Sequence, residues 1–226
     1  MSVPPDHVYR LSLGGVNAYL VDDDGVTLVD AGPPWAVGDL RTRLADAGYR
    51  PEDVDRVLLT HYDPDHVGGL SLIVDDDTAL DGSDVEVYMA DPDARYLVGR
   101  DRPSLRSRKG VLQRAAGRIV DAPEVQIYRV EDGREIGPFV AHRTPGHTRG
   151  HVAYVHGEFG VAFVGDLLRE SGGRLRPPTR LFSRDRAEND RSVRCLAEAT
   201  DPETVAPGHG DPVSDPDALD RAAGDS

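Results

Sequence analysis

Residues 56–70 read RVLLTHYDPDHVGGL. Arg56 to Thr60 form a compact apolar run, which predicts a short buried strand. The chain then changes character at once. His61, Asp63, Asp65 and His66 fall within six residues, Pro64 sits among them, and Gly68-Gly69 follow. Such a strand end presents imidazoles and carboxylates at the rim of a sheet, and these are the ligands of zinc, iron and manganese. The pattern recurs three times. His147 lies in TPGHTRGH (144–151), Asp166 follows VAFVG (161–165), and His209 lies in APGHGDP (206–212). Four His/Asp elements, each where a strand gives way to a Gly- or Pro-rich turn, are hard to explain as packing.

Working outward, Val8–Leu13, Val16–Val21 and Val26–Val29 read as strands of an antiparallel meander, with turns at Gly14-Gly15 and at 22–25. Trp35, Val37, Leu40, Leu44 and Ala47 recur at helical spacing after Pro33-Pro34, and Gly48 ends that helix. Trp35 is expected to anchor it by packing. A strand at 85–89, a short helix at 91–98 and a helix within 105–116 come next. Strands at 125–130, 139–143, 151–156 and 161–164 follow. Residues 169–186, with six Arg, read as a long loop. Helix 187–199 and strand 204–206 close the fold, and residues 211–226 are expected to form a C-terminal helix that frays into a tail. Strands then helix, twice over, predict two sheets in one layered α/β domain spanning residues 1–226.

The set THYDPDHVGG, TPGHT, GD and PGHG, in this order, resembles the metallo-β-lactamase superfamily, and in its compactness the glyoxalase-II-like members. The resemblance runs from Asp30-Ala31-Gly32 to His209. It implies an αββα four-layer sandwich with two mixed β-sheets and a dinuclear site on one edge. It implies a first metal on His61, position 63 and His147, a second on Asp65, His66 and His209, and Asp166 bridging them. Asp30 would organise the loop without ligating. The family pattern is H-x-H-x-D-H, whereas here Asp63 stands where the second histidine is expected. Two divalent ions are implied, zinc first; either Asp63 ligates, which adds negative charge and opens the site to manganese or iron, or it stands aside and the first metal is weak or absent. The activity implied is hydrolysis of a small ester, thioester or lactone by a metal-bound hydroxide, with Asp65 the candidate catalytic residue for orienting the nucleophile or taking a proton. The alternatives are an iron-dependent sulfur dioxygenase and a metal-binding domain with little or no activity.

Composition narrows the setting. Of 226 residues, 40 are acidic and 26 basic, a formal net charge of −14. Lys109 is the sole lysine beside 25 Arg. The acids are dispersed in short clusters, which resembles the chains of salt-in, haloarchaeal halophiles. This charge repels nucleic acid; the resemblance implies a small-molecule substrate as partner, and neither nucleic acid nor membrane is expected. No apolar run is long enough for a membrane span and none begins the chain as a signal would, so a cytoplasmic location is expected. Cys195, the lone cysteine, rules out an intrachain disulfide and reads as a buried packing residue. His151 is expected behind the ligands, and His142 and His156 as structural. His7 is given no role, and Tyr62 either packs or faces substrate. Arg100, Arg102, Arg106, Arg108 and Lys109, joined by Arg174, Arg176 and Arg180, read as solvated surface or as an anion pocket.

Overall fold

The computed structural model describes residues 2–3, 7–74, 85–103, 110, 113, 125–179 and 183–225. Seven strands form the first sheet in chain order: β1 (Ser2–Val3), β2 (Val8–Ser12), β3 (Asn17–Asp22), β4 (Val26–Val29), β5 (Arg56–Leu58), β6 (Glu86–Met89) and β7 (Ile127–Arg129). Pairing is antiparallel up to β4 and parallel from β4 to β7. The second sheet comprises β8 (Glu135–Ile136), β9 (Phe139–Arg143), β10 (Val152–His156), β11 (Val161–Gly165), β14 (Thr204–Pro207) and β15 (Val213–Ser214), in the order β15-β14-β11-β10-β9-β8. Only β11 and β14 pair in parallel there. Both sheets are therefore mixed.

Strand periodicity explains the layers. Along β3, Ala18 and Leu20 join one buried cluster while Tyr19 and Val21 join another. Along β10, Val152 and Tyr154 face inward while Ala153 and Val155 face outward. The central cluster, with Tyr19, Leu58, Phe139, Tyr154 and Phe163, fills the space between the sheets. Truncating an aromatic there, such as Phe163→Ala, costs about 3–5 kcal/mol. Helix α1 (Val37–Asp46) covers the first sheet through Leu40 and Leu44. Helices α4 (Arg186–Ala199) and α5 (Ala218–Gly224) cover the second through Val193, Leu196 and Leu219. Two short helices, α2 (Pro64–Val67) and α3 (Asp93–Leu97), follow β5 and β6. The architecture is the expected αββα sandwich. No helix among the described residues is long and apolar enough to cross a membrane.

Three expectations are corrected. Segment 169–186 is not all loop, because β12 (Arg169–Glu170) and β13 (Leu175–Arg176) pair as a hairpin across Gly172-Gly173, both at positive φ. Trp35 is 74% exposed; it belongs to a separate helical turn at Pro34–Ala36, so the period of α1 does not govern it. Cys195 is exposed, since the buried stripe of α4 runs through Asn189, Ser192, Val193 and Leu196 and passes it by. Of the helix expected at 105–116, only Gly110 and Gln113 are described, both helical. Arg106, Arg108, Lys109 and Arg180 lie outside the described residues, while Arg100 and Arg102 are exposed.

Candidate metal centre

The ends of β4, β5, β11 and β14 and the turn between β9 and β10 meet at one rim. Asp30 follows β4 at φ 58° and is 2% exposed, a left-handed conformation that Asp tolerates better than most residues. Its Oδ1 accepts from the Thr60 amide at 2.8 Å, and its Oδ2 lies 2.8 Å from both the Thr60 hydroxyl and His66 Nδ1. A carboxylate only accepts, so the Thr60 proton points at Asp30 and His66 carries its proton on Nδ1. Thr60 Oγ1 then accepts from His61 Nδ1 at 2.9 Å. His209 is set the same way, its Nδ1 donating to the Gly15 carbonyl at 2.8 Å. Three rings thereby turn Nε2 inward, the arrangement in which a partner on one nitrogen orients the other toward a metal.

The inward atoms fall into two groups. His61, Asp63, His147 and Asp166 form one, and Asp65, His66 and His209 form the other; within each group one donor atom per residue lies within 4.8 Å of the rest. Asp166 faces both groups: Oδ2 is 3.3 Å from His147 Nε2, and Oδ1 is 3.3 Å from His209 Nε2 and 3.4 Å from His66 Nε2. Asp63 Oδ2 is 3.1 Å from His147 Nε2 and 3.4 Å from His61 Nε2. Asp65 Oδ2 lies 3.6 Å from His209 Nε2, and both residues are partly exposed. All seven expected ligand residues are thus brought together, in the expected grouping.

The donor set suits a cation. His61 Nε2, His66 Nε2 and Asp166 Oδ1 are buried and make no hydrogen bond, an arrangement that costs free energy unless something compensates. Imidazole nitrogens and carboxylate oxygens in this number match divalent zinc, iron or manganese. Electrostatics agree. Burial opposes charge on His66, but Asp30 and Asp166 outweigh it and raise its pKa well above the ordinary value. Burial likewise opposes charge on Asp166, yet His147 and His66 hold its carboxyl well below the usual range. His209 is raised, with Asp166 overcoming burial.

His151 sits behind the ligands as expected. Its Nε2 accepts the Asp166 amide at 3.2 Å and its Nδ1 pairs with Thr144 Oγ1 at 2.8 Å. Burial, then the neighbouring His61 and His147, keep it neutral by lowering its pKa well below normal. His156 is structural, with Nε2 2.9 Å from Asp23 and Nδ1 accepting the Phe159 amide. Tyr62 packs in the outer core against Tyr96.

Two residues were missed. Asp93, at the start of α3, is fully buried. Its Oδ2 accepts from the Tyr62 amide at 3.0 Å and its Oδ1 from the Gly150 amide at 2.9 Å, tying the 61–66 loop to the 144–151 turn. Its signal was available, because DPDARYL follows an apolar strand just as the other site segments do. Gln113, buried, donates from Nε2 to Asp63 Oδ1 at 2.8 Å. Nothing in its Arg-rich sequence surroundings marked it.

A family model described as the metallo-beta-lactamase superfamily matches residues 11–209. The probable metallo-hydrolase YqjP of Bacillus subtilis (strain 168) is 29% identical over 228 residues, covering 92% of this chain and 71% of the relative. A hydroxyacylglutathione hydrolase of Stenotrophomonas maltophilia (strain R551-3) is 33% identical over 165 residues, covering 69% of this chain and 47% of the relative. A crystal structure of TTHA1623 in a di-iron-bound form matches with a TM-score of 0.68 and 28% identity, covering 92% of this chain and 94% of that one. Fold, site geometry and sequence agree, and the chain belongs to the metallo-β-lactamase superfamily.

Proposed function

We propose that this protein is a dinuclear metal-dependent hydrolase of a small ester, thioester or lactone. The observation that carries the reading is Asp166, whose two oxygens face two separate donor groups at 3.3–3.4 Å. His61, Asp63 and His147 would hold one divalent ion, Asp65, His66 and His209 the other, and Asp166 would join them. Such ions supply Lewis acidity for a carbonyl oxygen and lower the pKa of a bound water.

The chain's own groups do the rest. Asp30 and Thr60 fix the His61 and His66 tautomers and hold each Nε2 toward its donor group. Asp65 is partly exposed, which suits it to orient a water or hold its proton. Asp63, pinned by Gln113 through Oδ1, offers Oδ2 in place of an imidazole. The di-iron form of a similar protein, together with this extra carboxylate, supports iron or manganese as well as zinc. Similarity to a hydroxyacylglutathione hydrolase supports thioesters within the substrate set.

The test is turnover of p-nitrophenyl acetate, an acyl-glutathione and a γ-lactone by chain loaded with zinc, manganese or iron. It is run at high and low KCl, because the net charge of −14 is screened by salt. Hydrolysis of one class is expected, abolished by a chelator and restored by the metal. Chelator-insensitive turnover, or none with any metal, contradicts it.

A further inference from the structure

Three imidazoles of the centre divide their two nitrogens in one way: a partner holds Nδ1, and Nε2 turns inward. Thr60 holds His61, Asp30 holds His66 and the Gly15 carbonyl holds His209. Asp63 follows the same rule with oxygens. Gln113 Nε2 donates to Oδ1 at 2.8 Å, while Oδ2 faces His147 Nε2 at 3.1 Å and His61 Nε2 at 3.4 Å. A carboxylate only accepts, so the NH2 end of the Gln113 amide is the end that meets it. Both residues are buried, where a hydrogen bond to a carboxylate is strong and water competes little.

An aspartate is not by itself a substitute for histidine. An imidazole held at one nitrogen offers a single donor atom, whereas a carboxylate can clasp an ion with both oxygens. Clasping raises the coordination number and suits manganese; one donor per residue keeps it low and suits zinc. With Oδ1 engaged by Gln113, one oxygen of Asp63 is left facing the first donor group, as one nitrogen is from each histidine. The bond is no by-product of the local turn. Gln113 is a helical residue 50 positions away in the chain, outside both sheets. An apolar residue of its length could fill the same space and would leave Oδ1 without this donor.

We infer that Gln113 is a positioning residue: by engaging Oδ1 it makes Asp63 a one-oxygen donor, and so biases the first donor group toward zinc over manganese. The negative charge of Asp63 opens the site to manganese, and Gln113 opposes that pull by withholding the second oxygen. This deepens the metal-dependent reading and rests on it. It gives a helix outside the two sheets a part in choosing the ion.

The experiment measures zinc and manganese affinities separately, by chelator competition, and takes their ratio. It compares the native protein, Gln113→Met and Gln113→Leu, then Asp63→His alone and combined with Gln113→Met. Circular dichroism is recorded on every sample, and cobalt(II)-loaded samples are read by visible absorption, which weakens as coordination number rises. In Gln113→Met and Gln113→Leu the zinc-to-manganese ratio is expected to fall by roughly tenfold or more, with weaker cobalt absorption. In the Asp63→His background the same Gln113→Met change should move the ratio by less than about twofold, because an imidazole has no second oxygen to free. An unmoved ratio in a folded Gln113 variant overturns the inference, and so do equal shifts in both backgrounds, which a purely structural role would give. Native cobalt absorption as weak as that of six-coordinate cobalt overturns it whether or not the variants fold. Native chain that binds neither zinc nor manganese contradicts the metal-dependent reading itself, whereas bound ions with an unmoved ratio contradict the role of Gln113 alone.

Discussion

Asp30 Oδ2 and His66 Nδ1 lie 2.8 Å apart, and through the Thr60 hydroxyl the same carboxylate also fixes His61. One buried residue that touches no substrate therefore orients a donor in each group. Asp30→Asn keeps the size and tolerates the left-handed backbone, but its amide sets the Thr60 and His66 protons wrongly. Metal affinity should fall about 10–100-fold, read by chelator competition. Native affinity in that variant would show that the tautomers are set elsewhere.

Gly208 leaves no room for a side chain. A Cβ there would lie 2.6 Å from His66 Cε1 and 2.9 Å from Asp166 Oδ1. Overpacking of this kind costs about 1–3 kcal/mol. Gly208→Ala should keep its circular dichroism while its metal affinity drops roughly tenfold or more.

Asp93 accepts two amides from two loops. Asp93→Asn can accept only one of them and turns an NH2 toward the other, leaving a buried donor unpaired at about 1–3 kcal/mol. A lowered urea midpoint with weaker metal binding is expected. An unchanged midpoint would remove Asp93 from the frame of the site.

Metal loading should release protons. The pKa values of His66 and His209 are raised, so both rings hold a proton to a higher pH than an ordinary imidazole. A cation must displace those protons from Nε2, so binding tightens as pH rises and levels off once the raised values are passed. Titration in buffers of different ionisation heat counts the protons. No release near neutral pH would contradict the charge state assigned to these rings.

Much of this was legible in the sequence because ligands at strand ends are local: the strand, its turn and the His or Asp are contiguous at 56–66, 161–166 and 204–209. Two layered sheets followed from strands then helix, twice over, and the αββα arrangement from the resemblance that those same motifs carry. What stayed hidden depends on contacts far apart in the chain. Gln113 reaches Asp63 across 50 residues, and no local pattern encodes that. The hairpin at 169–176 was hidden by its Arg content and by the Pro177-Pro178 that follow, since two-residue strands carry no periodicity. Trp35 was misplaced by extending a helical period to a position it does not govern, and Cys195 by taking burial from residue type.

The central claim is two metals joined by Asp166. Metal analysis of the native, Asp63→Ala and Asp166→Ala proteins after loading and desalting tests it directly. About two ions per native chain are expected, fewer in Asp63→Ala, and Asp166→Ala should lose most metal and all activity. One ion in the native protein with the same content in Asp63→Ala, or two ions retained without Asp166, would contradict it.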